Sequence, residues 1–108
     1  GPDTLAAKRQ KENVSLSEKR RRLQEVEELQ EKIASGINAQ LLGHTLEVLV
    51  EGKKKGKWYG RTRADKLVFF EKDADCLGQL VNIEVNKTSP WALQGLPKTE
   101  HIKGLAQR

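Results

Sequence analysis

"TLEVLVEGKKKGKWYGRTRADKLVFF", Thr45 to Phe70, is where the periodicity of the chain changes. Leu46, Val48 and Val50 alternate with Glu47, Leu49 and Glu51, the period-two pattern of a half-buried strand. Lys57 to Thr62 reads as a second strand and Leu67 to Phe70 as a third. Gly52 to Gly56 and Arg63-Ala64-Asp65 supply the intervening turns. Further on, Leu80, Val81, Ile83 and Val85 mark a fourth strand and Trp91 to Leu93 a fifth, with turns at Asp73 to Gly78 and at Ser89-Pro90. A flat sheet of five short strands would leave an apolar face uncovered and two edges open. Closure into a small antiparallel barrel of the OB type removes the edges.

Before Thr45 the pattern is helical. Ser15 followed by Glu18 is a capping-box signature, and Leu23, Val26, Leu29, Ile33, Ile37 and Leu41 recur at spacings of three and four. That is a narrow apolar stripe on a helix roughly 40 Å long. Gly43 is the expected stop, and Gly36 predicts fraying or a bend. The fold class expected is therefore α+β: a linker over residues 1–14, a connecting helix over 15–43, a five-stranded antiparallel barrel over 44–97 and a flexible tail over 98–108. A barrel of about fifty residues is marginal by area alone, so the stripe is expected to pack on the barrel or on another domain.

Composition narrows the function. Apolar residues make up 36 % of the 108 and charged residues 32 %, with a formal charge of +5. Apolar content this low places part of the chain outside a core. The absence of Met reads as a piece of a longer or processed protein. The single Cys76 fits a reducing, cytoplasmic compartment, and no apolar run is long enough to cross a membrane. His44 and His101 have no Cys or Ser-Asp arrangement at a catalytic spacing, and Glu71, Asp73 and Asp75 read as a solvated loop. The glycines from Gly52 to Gly60 join two strands, where a phosphate-binding loop would lead into a helix. No active site is legible.

The cations are the distinctive feature. Lys53, Lys54, Lys55, Lys57, Arg61, Arg63 and Lys66 fall within about fourteen residues. Strand alternation puts Tyr59, Arg61 and Arg63 on one face and Trp58, Gly60 and Thr62 on the other. A positive groove with an aromatic ring beside it is the usual physical solution for looped or single-stranded RNA. The competing reading is a solvated hairpin whose lysines guard an edge. Trp58, Phe69 and Trp91 are expected in the core, and Tyr59 and Phe70 on either side. A second basic run, Lys8, Arg9 and Lys11 with Lys19 to Arg22, precedes Glu25, Glu27, Glu28 and Glu31. It opposes the helix dipole and reads equally as an anion contact or a solvated face.

Val48-Leu49-Val50-Glu51-Gly52, Gly60-Arg61-Thr62-Arg63, Lys66-Leu67-Val68-Phe69-Phe70, Gly78-Gln79-Leu80-Val81 and Ser89-Pro90-Trp91-Ala92-Leu93-Gln94-Gly95 together resemble the TRAM domain. More narrowly they resemble the one that closes the MiaB-type tRNA methylthiotransferases. Arg22-Leu23-Gln24 and Ile33 to Gly43 are similar to that family's connecting helix, and Pro2 to Ala7 to the exit from its radical domain. The resemblance implies a monomeric module that binds the anticodon stem-loop of tRNA and docks on the radical S-adenosylmethionine domain. The parent would use two four-iron four-sulfur clusters and S-adenosylmethionine to methylthiolate an isopentenylated adenosine. The Cys-x-x-x-Cys-x-x-Cys triplet is absent, so no chemistry is expected of this chain. RNA contacts are expected from Lys53, Lys54, Lys55, Lys57, Tyr59, Arg61, Arg63 and Lys66. The alternative is a docking or structural cap of the sibling family that methylthiolates a ribosomal protein.

Overall fold

The computed structural model describes residues 14–99. The expected linker other than Val14, the basic residues Lys8, Arg9 and Lys11, His101 and the tail beyond Thr99 lie outside the described residues. The chain divides into two compact units, Gly1–Glu31 and Lys32–Arg108.

Helix α1 spans Leu16–Ala39. Ser15 caps it as the sequence predicts: its Oγ accepts the Glu18 N–H at 3.2 Å and its carbonyl accepts the Lys19 N–H at 3.0 Å. The Glu18 carboxylate lies 4.0 Å from Arg22. The helix runs unbroken through Ser35 and Gly36, so of the fraying or bend expected there the fraying does not occur. It ends four residues before Gly43. The last turn tightens into i→i+3 bonds through Leu42, and Gly43 takes φ 82°. That left-handed residue turns the chain into the barrel, where Gly43 N–H donates to Val85 O and Val85 N–H to His44 O.

Five strands follow: β1 Thr45–Lys54, β2 Lys57–Arg61, β3 Leu67–Phe70, β4 Leu80–Thr88 and β5 Leu93–Pro97. They close in the order β1-β2-β3-β5-β4. The expectation of an all-antiparallel barrel is corrected in one place, because β3 and β5 pair in parallel. A ring of five strands cannot alternate direction all the way round. Closure therefore requires a parallel neighbour somewhere, and here it falls where β5 enters beside β3.

The core is Val48, Val50, Trp58, Val68, Phe70, Cys76, Val81, Ile83, Val85 and Leu93. Trp58 packs with its indole N–H donated to Lys72 O at 3.0 Å. Two of the three aromatics expected inside are not there. Phe70 is opposite Trp58 in the β2–β3 register and faces inward with it, which turns Phe69 out. Trp91 is 66 % exposed. The fifth strand begins two residues later than expected, because Ser89 holds a turn across Trp91. Its N–H and hydroxyl both donate to Ala92 O, and its Oγ accepts the Ala92 N–H at 3.1 Å.

The first hairpin also departs from expectation. β1 runs on through the presumed glycine-lysine loop, leaving only Lys55 and Gly56 as the turn. Both have positive φ, 52° and 81°, as a type I′ hairpin requires. The register shifts by one residue between Val50 and Gly52, so Glu51 forms a bulge. This extra residue reverses which side of β1 each lysine takes. Lys53 now lies opposite Trp58 and Lys54 opposite Lys57.

Asn38 ties the end of α1 to the turn before β5. It is 2 % exposed, and its Nδ2 donates to Ser89 O at 2.8 Å and Pro90 O at 3.2 Å. Asn38→Asp would face those two carbonyls with an acceptor. A loss of about 1–3 kcal/mol is expected, read as a lower urea midpoint at pH 7; an unchanged midpoint would show that this latch is not strained by the exchange.

Candidate nucleic-acid interface

The outward positions of adjacent strands build one surface. β2 contributes Lys57, Tyr59 and Arg61, β3 contributes Leu67 and Phe69, and β5 contributes Gln94. Tyr59 pairs with Phe69 across β2–β3, and Phe69 with Gln94 across the parallel pair. The two rings lie 6.3 Å apart at 49°. Gly52 makes room for Tyr59: a Cβ there would come within 2.8 Å of the ring's Cζ and 2.9 Å of its Cε2. The tyrosine therefore lies across β1 with its far end over bare backbone.

Lys54, Lys55 and Lys57 gather at one end of this surface. With Phe69 and Gln94 they line an open groove of about 390 Å³. Among the described residues none of the three lysines has a carboxylate within 4.0 Å. Their charge is uncompensated locally and available to an anion.

The other expected contacts are not all brought together with these. Lys53 is on the opposite side of the hairpin, its Nζ 5.0 Å from the centroid of Trp58. That is a cation–π contact sealing the core. Arg61, Arg63 and Lys66 belong to the β2–β3 turn. The turn is held by Thr62 N–H to Lys66 O, Asp65 N–H to Thr62 O and Lys66 N–H to Thr62 Oγ1, with Asp65 at φ 61°. Strand β2 ends at Arg61, and Arg61 and Arg63 line one crevice with Glu47 and Leu49, exposed positions of β1. Arg63 is 91 % exposed and reaches Glu47 Oε1 at 3.4 Å. Arg61 donates to Asp65 O at 3.2 Å and approaches its carboxylate at 4.0 Å. Exposed pairs of this kind contribute little to stability, and both guanidinium groups can exchange a carboxylate for a phosphate. Lys66 lines a separate crevice of about 410 Å³ with Ile37, Leu41 and Leu46.

The expected cations thus divide into a lysine groove and a turn cluster, with Lys53 outside both, and Tyr59 lies between the two beside Phe69. Phe69 and Gln94 were not expected at the surface. The signal that could have found Phe69 lies across the β2–β3 pair: Phe70 opposite the inward Trp58 faces in, which turns Phe69 out.

No other chemistry gathers among the described residues. Glu71, Asp73 and Asp75 are exposed, and Asp75 Oδ1 accepts the Leu77 N–H at 3.0 Å. Among the described residues no group of three or more His, Cys, Asp or Glu could hold a metal ion. Four-iron clusters take cysteine thiolates. The one cysteine is fully buried, and burial pushes its thiol up, partly offset by Lys72. The donor set does not fit the clusters that the resemblance implies. No helix among the described residues is long and apolar enough to cross a membrane.

A family model described as the TRAM domain matches residues 39–97. Among curated proteins, the chain is 47 % identical over 104 residues to a tRNA-2-methylthio-N(6)-dimethylallyladenosine synthase of Chloroflexus aurantiacus, covering 92 % of this chain and 22 % of that protein. It is 54 % identical over 82 residues to the protein of that name in Herpetosiphon aurantiacus, covering 76 % and 19 %. In Dehalococcoides mccartyi the figures are 46 % over 93 residues, covering 86 % and 22 %. The chain spans about a fifth of the length of these relatives.

Proposed function

The chain belongs to the TRAM domain family, and from that premise we propose that it is the RNA-binding module of a tRNA methylthiotransferase, gripping the anticodon stem-loop of its substrate. The observation that carries this reading is the groove where Lys54, Lys55 and Lys57 meet Phe69 with no carboxylate partner among the described residues. Cations beside an exposed ring suit a strand whose phosphates are negative and whose bases are free to stack. The relatives' name supports tRNA as the RNA, and does not favour a ribosomal protein as the target. Arg61, Arg63 and Lys66 add phosphate contacts one turn away.

Catalysis and both iron–sulfur clusters belong, on this reading, to the rest of a parent enzyme that is cytoplasmic. In the helical unit Leu23, Val26 and Leu29 are exposed. Because the relatives are about four times as long as this chain, the radical domain that the resemblance implies is the occupant proposed for that stripe. The module itself is monomeric.

Titrating a fluorescent anticodon stem-loop with the chain at several salt concentrations tests the reading. Log affinity is expected to fall with log salt by about 0.7–0.9 per phosphate contact, and Arg61→Ala to weaken binding with the barrel still folded. A slope near zero would end the electrostatic account.

A further inference from the structure

The geometry points to Phe69 as a platform for one unpaired nucleobase, with Gln94 reading the base edge and Lys54 and Lys57 holding the flanking phosphates. This rests on the RNA-binding reading above. It assigns a role to two residues which the cation pattern does not single out.

Phe69 is half-buried on the outer face, because Val68 and Phe70 take the inward positions of β3. It lines the lysine groove, whereas Tyr59 does not. Tyr59 lies over Gly52 and flanks Phe69 at 6.3 Å, so it props the platform rather than forming it. Gln94 is the residue paired with Phe69 in β5. Its amide carries both donors and an acceptor, the combination needed to pair with a base edge. Lys54 and Lys57 face each other across the hairpin, next to the turn. Bases inside a double helix are stacked on one another and cannot reach such a ring, so the site selects looped or single-stranded RNA.

The test compares an anticodon stem-loop RNA with a blunt RNA duplex of the same number of phosphates. Stacking on one ring corresponds to about 5- to 150-fold in affinity. Phe69→Leu is expected to lose a factor in that range for the stem-loop, with the duplex affinity and the salt slope unchanged. Phe69→Tyr, which keeps a ring, is expected to retain stem-loop affinity, and Gln94→Leu to alter the ranking of loops that differ in one base. If the wild-type chain binds neither RNA, the RNA-binding reading fails and this inference with it. If it binds with a steep salt slope but Phe69→Leu binds the stem-loop as well as wild type, the platform alone is overturned. Equal losses in Phe69→Tyr and Phe69→Leu would overturn it too.

Discussion

Gly60→Ala is expected to leave the barrel unfolded or nearly so. A Cβ on Gly60 would collide with the carbonyl oxygen of Leu49 and lie 2.7 Å from Val48 Cγ1. The obstacle is mainly backbone of the paired strand, which cannot swing aside as a side-chain tip can. Gly60 is a buried position of β2 opposite Val50, so relief would require opening the β1–β2 ladder. Overpacking commonly costs 1–3 kcal/mol, and more where nothing yields. A barrel of this size has a total stability of only about 3–9 kcal/mol. Gly36→Ala is the matched control. Its Cβ would meet nothing within 4 Å, and alanine is the better helix former by about 1 kcal/mol. The same exchange should thus destabilise at one glycine and be neutral or stabilising at the other, as followed by urea denaturation with Trp58 as probe. A Gly60→Ala chain with the wild-type midpoint would contradict the close approach of β1 and β2.

Neutralising the groove as Lys54→Gln, Lys55→Gln and Lys57→Gln together is expected to lower RNA affinity by about two orders of magnitude at 0.1 M salt. Each phosphate contact contributes about 0.7–0.9 to the slope of log affinity against log salt. Three contacts amount to about 2–3 log units between 1 M and 0.1 M. Glutamine keeps most of the aliphatic stem, so packing and fold should survive. The discriminating comparison is Lys53→Gln. Lys53 has the same charge and sits next to Lys54 in sequence, but it covers Trp58 from the other side of the hairpin. Its loss should cost little affinity. Arg63→Gln should be intermediate, since its guanidinium already faces Glu47. If Lys53→Gln weakened binding as much as the triple variant, RNA contact would depend on net charge alone, and the groove would have no special role.

Strand phase separates what the residues announce from what only pairing decides. The strands were legible where apolar residues recur at every second position, as Leu46, Val48 and Val50 do. The bulge at Glu51 was not, because Gly52 and the lysines carry no apolar contrast that would reveal a one-residue slip. Phe69-Phe70 is ambiguous for the same reason: two identical neighbours do not say which faces in. The answer comes from the partner strand, through Trp58 opposite Phe70. Trp91 reads as core by its size, yet the Ser89 hydroxyl makes a turn that holds it outside. Asn38 gave no signal because its partners are 51 and 52 residues away. The basic character of the site was plain in the sequence. Its division into a groove and a turn cluster required the register.

The place of β5 in the ring has a consequence for the order in which the chain is made. Translation delivers β1, β2, β3 and β4 first, and β1 can pair at once with both β2 and β4. The gap between β3 and β4 stays open until Leu93–Pro97 has left the ribosome, because β5 alone bridges them. For that interval the nascent sheet has two bare edges and lacks Leu93 from its interior, the state most exposed to wrong pairing. A chain cut short just before Leu93 would therefore keep that gap open, with the edges of β3 and β4 bare and available for wrong pairing.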